Sequence, residues 1–211
     1  MKVEAPAETA PRVHIVDDDE SLRTALARLL RAAGHEVSGY ASTADFLLAR
    51  TGPLRGCVLL DVRMPGGPSG LKLQQALLRQ GETIPVVFLT GHGDIPMSVR
   101  AVKDGAFDFL TKPVGKDDLL RVVGMALEEE RERWDQAADS REVSRRFESL
   151  TPTEKAVFER VIAGEPNKGI AAGLGCAERT VKAHRAQVMR KMEAATLPDL
   201  VSIATRIPRP N

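Results

Sequence analysis

The apolar pattern of the chain has two regimes. In the first, short unbroken apolar runs alternate with segments whose leucines recur three and four residues apart. "RVHIV" (12–16) reads as a strand, and "SLRTALARLLRAAG" repeats Leu22, Leu26, Leu29 and Leu30 at helical spacing before stopping at Gly34. "EVSGY" is a second strand, and "STADFLLAR" a helix capped by Ser42 or Thr43. The alternation continues through the strand "GCVLLD", the helix "GLKLQQALLRQG", the strand "IPVVFLT", the helix "DIPMSVRAVKDG", the strand "AFDFL" and the helix "KDDLLRVVGMALEEE". Five strands alternating with five helices predict an α/β fold: a five-stranded, doubly wound parallel sheet with helices on both faces. Runs as apolar as "CVLL" and "PVVFL" belong at its buried centre.

The second regime carries no strand signal. "EEERERWDQAADSREVSRRFESL" lacks Pro and Gly, and its Arg/Glu spacings favour helix. It reads as a continuation of the preceding helix and then a helical or flexible linker. The charge run reads first as a solvated face and second as a coiled-coil dimer contact, since apolar residues are sparse between Glu128 and Arg146, and Trp134 is the one large apolar side chain there. From Leu150 the helices shorten. "TPTEKAVFERVIAG" opens on a capping pattern of Thr151, Pro152 and Glu154 and ends at Gly164. "NKGIAAGLG" is a short helix with Asn167 as cap; a tight turn at Gly175–Cys176 leads into "ERTVKAHRAQVMRKM", and "LPDLVSIATRI" follows. Four helices with a short turn between the middle two predict a small all-α helix-turn-helix domain joined to the sheet domain by the linker.

In an open parallel sheet, ligands bind beyond the carboxyl ends of the strands. Asp17 and Asp18 stand at the end of the first strand, Asp61 at the end of the third and Thr90 at the end of the fourth, while Lys112 follows the fifth. Singly, each is ordinary turn chemistry; together they put three carboxylates, a hydroxyl and an ammonium on one rim. A hard divalent cation makes such a carboxylate cluster tolerable, and Mg²⁺ (or Mn²⁺) suits Asp17, Asp18, Asp61 and the backbone carbonyl of Arg63. Asp61 then keeps an oxygen free as nucleophile, with Lys112 and Thr90 set to neutralise phosphoryl oxygens. Asp19 lies past the strand end and suits the cap of the helix starting near Ser21.

Charge adds a second contrast. The 30 Lys and Arg nearly balance 29 Asp and Glu, but residues 150–211 hold ten basic against six acidic residues, leaving the rest net acidic. In the penultimate helix Val181, Val188 and Met192 share one stripe, and Lys182, Ala183, Ala186 and Arg190 the opposite face, a composition suited to a major groove. Arg179, Arg185 and Lys191 could reach flanking phosphates. Cys57 and Cys176 have no ligand spacing and read as reduced packing residues. No apolar run approaches a membrane span, and "MKVEAPAETAP" has no signal-peptide core, so residues 1–11 read as a disordered lead of a cytoplasmic protein that makes no membrane contact.

"VHIVDDDE", "LLDVRMPGGPSGLKL" and "VVFLTGHGDIPMSVRAVKDGAFDFLTKP" resemble the receiver domain of two-component response regulators over residues 12–130, in the order Asp18, Asp61, Thr90, Lys112. The resemblance implies a flavodoxin-like fold and a phosphoryl group accepted by Asp61 from a sensor histidine kinase. It implies a Thr90–Phe109 switch, with Phe109 otherwise a core residue of its strand. Arg63 and His92 would flank the path of the water that hydrolyses the phosphoryl group. "LTPTEKAVFERVIAGEPNKGIAAGLGCAERTVKAHRAQVMRKM" resembles the LuxR-type DNA-binding domain, here residues 149–211, leaving 131–148 as linker. That implies contacts to double-stranded promoter DNA from Arg179, Thr180, Lys182, Ala183, His184, Arg185, Ala186 and Arg190. With both halves, the chain resembles a FixJ/NarL-type transcriptional regulator that dimerises on phosphorylation through Asp94–Lys103 and the fifth strand; RNA polymerase is a further candidate partner.

Two departures stand out. Gly169 and Gly173 lie inside a helix, where each costs about 1 kcal/mol against Ala, and Ala177 replaces the Ser or Thr that the family usually places as N-cap. Two rival functions are weaker. A phosphatase of this design wants a second Asp two residues past the nucleophile, where this chain has Arg63. A phosphate sink that ignores DNA leaves the basic penultimate helix unexplained.

Overall fold

The computed structural model describes residues 10–50, 52–64, 69–91 and 105–207. The chain divides into two compact units, Met1–Arg133 and Trp134–Asn211. In the first, β1 (Arg12–Val16), β2 (Val37–Tyr40), β3 (Gly56–Asp61), β4 (Val86–Thr90) and β5 (Asp108–Thr111) form one parallel sheet in the order β2-β1-β3-β4-β5. The described helices around it are α1 (Glu20–Ala32), α2 (Thr43–Leu48), α3 (Gly70–Arg79) and the start of α4 (Lys116–Glu148). The helix expected from Asp94, and with it the expected dimer surface Asp94–Lys103, lies outside the described residues, as do His92 and most of the expected N-terminal lead.

Successive side chains of a strand point to opposite faces, so an unbroken apolar run feeds two cores. Val13, Ile15, Leu59 and Leu89 pack under α1 and α4 with Leu26, Leu30, Leu119 and Val123. Val16, Val58, Leu60 and Phe88 pack on the other side with Phe46 of α2 and Leu73 and Leu77 of α3. The expected caps of α1 and α2 are present: Asp19 accepts from the Leu22 N–H and Ser42 from the Asp45 N–H.

Residues 131–148 are helical throughout, as the second part of α4. In the second unit follow α5 (Pro152–Ile162), α6 (Asn167–Leu174), α7 (Glu178–Lys191) and α8 (Leu197–Ala204). Val143, Phe147 and Leu150 join the core formed by Val157, Phe158, Ile170, Val181, Val188, Met192 and Leu200. Val143 and Phe147 are separated by one helical turn, so a short apolar stripe lies within the charged segment.

One local expectation is corrected. Asn167 is not the cap of α6: Pro166 holds that position with no side-chain bond, Asn167 opens the helix, and its side-chain oxygen accepts from Arg185 at 3.2 Å. Gly173 faces the end of a flexible side chain: a Cβ there would lie 2.2 Å from the Arg160 guanidinium. Ala177 caps α7 without a side-chain hydrogen bond, as its methyl dictates. Gly175 ends α6 in the left-handed conformation, at φ 62°, which favours glycine.

Candidate functional site

Parallel register brings four strand ends into line. Val16 is paired with Leu60, Asp61 with Leu89, and Thr90 with Thr111, so the residues at these ends share one rim. Asp17 is fully buried, Asp61 and Thr90 are nearly so, and Asp18 is exposed. Carboxylate oxygens of Asp17, Asp18 and Asp61 lie within 4.8 Å of one another.

Lys112 joins the two buried acids. Its Nζ donates to Asp17 Oδ2 at 2.7 Å and lies 3.1 Å from Asp61 Oδ2. The strand end also holds Lys112 by its backbone, whose N–H donates to the Thr90 carbonyl at 2.7 Å. Burial pushes the Asp61 carboxyl above its ordinary value; Lys112 and the Arg63 N–H, 3.2 Å from Oδ1, pull it back. Burial alone would lower Lys112, but its bonds to Asp17 and Asp61 outweigh that and hold the ammonium above its usual range. The ammonium bridges two carboxylates that are themselves buried, so losing any one of the three would leave the others poorly partnered.

Asp17 is held on every side. Its N–H donates to the Tyr40 carbonyl at 3.2 Å, and its own carbonyl accepts from Arg23 at 2.7 Å. Its Oδ1 accepts from the Asp19 N–H at 2.9 Å. With Oδ2 taken by Lys112, both oxygens of Asp17 have donors at 2.7 and 2.9 Å; those of Asp61 are held more loosely, at 3.1 and 3.2 Å, and Asp18 is the exposed carboxylate of the three. The donor set is oxygen only. That fits a hard divalent cation and does not fit one that prefers thiolate or imidazole.

Arg23 and Gly70 belong to this site and were not expected from the sequence. Arg23 reads as one more polar residue on the outer face of α1. A Cβ on Gly70 would lie 2.2 Å from the Asp61 carbonyl oxygen, so α3 can begin against the strand end only because that residue is glycine. Phe109 is exposed on β5, at 36% of its surface, and the expectation of a plain core residue does not describe it. Arg63 is exposed beside Asp61.

In the second unit Val181, Val188 and Met192 are completely buried, which turns the opposite face of α7 outward. Arg179, Lys182, Ala183, Ala186 and Arg190 are exposed; Thr180, His184 and Arg185 are half-buried. Lys182 pairs loosely with Glu178 at 3.7 Å, and Arg190 donates to Gln187 at 2.6 Å. Lys191, expected to reach a flanking phosphate, is bonded within the unit. Its Nζ is turned back to Glu154 Oε2 at 2.6 Å and the Ser149 carbonyl at 3.1 Å.

The two units are two known modules. Residues 13–124 match the response regulator receiver domain, and residues 148–204 match the bacterial regulatory proteins of the luxR family. The chain belongs to the two-component response regulators that control transcription through a LuxR-type DNA-binding domain. Nodulation protein W of Bradyrhizobium diazoefficiens is 44% identical over 94% of this chain and 87% of that protein. Transcriptional regulatory protein FixJ of Azorhizobium caulinodans is 43% identical over 91% and 90%. Among solved structures, the response regulator StyR superposes with a TM-score of 0.86 at 42% identity, covering 94% of this chain and all of that one. Full-length FixJ from B. japonicum gives 0.58 at 38% identity, over 94% and 97%. Among the described residues no helix is long and apolar enough to cross a membrane.

Proposed function

We propose that Asp61 is the phosphoacceptor of this regulator and that its phosphorylation switches the DNA-binding unit. The observation that carries the proposal is the Asp61 carboxylate at the end of β3, 3.1 Å from Lys112 and within 4.8 Å of the Asp17 and Asp18 carboxylates. An Asp61 oxygen attacks the phosphorus of a phosphohistidine on a sensor histidine kinase; the P–N bond breaks, a P–O bond forms, and the kinase imidazole leaves. Lys112 and the Thr90 hydroxyl neutralise charge on the transferred oxygens. Asp17, Asp18, Asp61 and the Arg63 carbonyl would hold Mg²⁺ (or Mn²⁺), which supplies charge neutralisation when bound. Beyond this self-modifying aspartate the chain has no dedicated enzymatic role.

Thr90 and exposed Phe109 form the switch in this reading, and Arg63 with His92 sets the lifetime of the phosphorylated state. Phosphorylation then favours a homodimer, presenting two copies of α7 to a pseudo-palindromic promoter site, with RNA polymerase as a further partner. Arg179, Thr180, Lys182, Ala183, His184, Arg185, Ala186 and Arg190 supply the DNA contacts. The receiver spans 12–130 after a lead of 1–11, the linker 131–148, and the DNA-binding domain 149–211. Kinase and chromosome are both within reach in the cytoplasm. The test is Asp61→Asn, which keeps the shape and removes the nucleophile. It is expected to abolish uptake from a small phosphodonor; uptake at the wild-type rate would overturn the assignment.

A further inference from the structure

Lys191 ends α7, yet its ammonium faces away from the exposed basic face of that helix. It reaches Glu154, whose side chain is only 8% exposed, while its own is 26% exposed. One carboxylate oxygen of Glu154, Oε2, accepts both Lys191 and the Thr151 N–H, at 2.6 and 2.8 Å. Thr151 in turn accepts from the Glu154 N–H, closing the capping box of α5. Lys191 also takes the Ser149 carbonyl, at 3.1 Å. Three pieces of chain, the end of α4, the cap of α5 and the last turn of α7, thus meet at one charged pair. A cation in the last turn of a helix and an anion in the first turn of another each also oppose the local helix dipole.

The geometry points to Glu154 and Lys191 as positioning residues for DNA recognition: the pair pins the C-terminal end of α7 so that the exposed residues earlier in the helix meet the groove in one register. This rests on the reading of α7 as the recognition helix. An α-helix in a groove tolerates little misdirection, because base-edge hydrogen bonds are bidentate and directional. The pair is a better pin than an apolar contact at this place, since a half-buried ion pair has a defined geometry as well as an energy.

Three explanations of Lys191 make different predictions: a pin, a phosphate contact, or a stabiliser with no bearing on DNA. The probe is the duplex that the full-length wild type enriches from randomised double-stranded DNA in the presence of beryllofluoride. Failure to enrich any duplex would overturn the DNA-recognition reading itself. With the enriched duplex in hand, Lys191→Met and the charge-free pair Glu154→Gln/Lys191→Met are titrated across salt concentrations, at a temperature where each is folded. The double variant leaves no buried charge unpaired, so it keeps the test open if the single one unfolds. A pin predicts that both bind about tenfold more weakly, as for the loss of one base contact, with the slope of log affinity on log salt unchanged. Lys191→Arg, which can still reach Glu154, is expected to restore binding. A slope smaller by about 0.9 would make Lys191 a phosphate contact and overturn the proposal. Wild-type affinity in the folded double variant would overturn it too, leaving the pair as a stabiliser alone.

Discussion

Each unit holds a glycine whose missing Cβ would meet another atom at 2.2 Å, and the two have opposite meanings. At Gly70 the obstructing atom is the carbonyl oxygen of Asp61, part of a central strand that cannot move without the sheet. At Gly173 it is a nitrogen of Arg160, the far end of a flexible side chain that is one-third exposed. The first unit places its chemistry by bringing backbone against backbone, and its buried charges are fixed from several sides. The second presents its working face on an exposed helix surface, and the side chain over its glycine has room to turn. Function in the first unit is therefore tied to stability, while in the second the exposed face of α7 can be changed without touching the core.

Gly70→Ala should have the largest effect. The methyl forces either α3 or the end of β3 to shift, and overpacking against backbone costs about 3 kcal/mol. Chemical denaturation should show that loss, and phosphoryl uptake by the remaining folded protein should be slower because Asp61 has moved. Stability within about 0.5 kcal/mol of wild type would break the contrast between the two glycines.

Substitutions in the second unit should run the other way. Ala177→Ser gives α7 the side-chain acceptor it lacks and should stabilise the unit by about 1 kcal/mol. Gly173→Ala replaces a helix-interior glycine, a gain of up to about 1 kcal/mol, less whatever Arg160 loses in turning away from its 3.3 Å pair with Glu165. The net should be a smaller gain. A loss above about 1 kcal/mol would show that Arg160 is as immovable as the Asp61 backbone, and thermal unfolding of the two variants decides it.

The sequence exposed those features that depend on chain-local patterns. The bounds of β3, Gly56 to Asp61, were legible because a glycine, an unbroken apolar run and a polar end follow one another. The Asp19 cap and the Thr151–Glu154 capping box were legible because a cap and its partner are three residues apart. The rim of Asp17, Asp61, Thr90 and Lys112 followed from strand alternation, since all strands of a parallel sheet end on the same side. Contacts between distant segments had no such signal. Nothing near Gly70 says that it abuts Asp61, nothing near Lys191 that it turns to Glu154, and nothing near Asn167 that it receives Arg185 instead of capping its own helix. The apolar pair Val143 and Phe147 is too short a stripe to stand out within the surrounding charge.

Acid separates the units by a different route. His14 on β1 is buried against Tyr40 and Phe46, with ring centroids 6.0 and 5.6 Å away, and its Nδ1 is 3.3 Å from the Tyr40 hydroxyl. Burial lowers its pKa, a hydrogen bond with the backbone of Arg55 opposes this, and the charge of Arg12 adds to it. Because the folded value is depressed, the contribution of His14 is fully present above its ordinary pKa of 6.5 and is lost as pH falls through the folded one. Glu154 in the second unit is also depressed, first by its bond to Lys191, but from 4.5, so its contribution survives until more acid conditions. Between about pH 7.5 and about pH 5.5 the first unit should therefore weaken before the second. Hydrogen exchange read separately over β1–β2 and over α5–α8 measures this, with His14→Phe as the control that keeps an aromatic ring and removes the titration. Asp61, whose raised carboxyl has the opposite sign, is common to both proteins and cancels in the comparison. The wild-type first unit should lose protection on acidification relative to the variant. Parallel behaviour of the two would mean that His14 accepts its proton without cost and is not the group that makes this unit the more acid-sensitive.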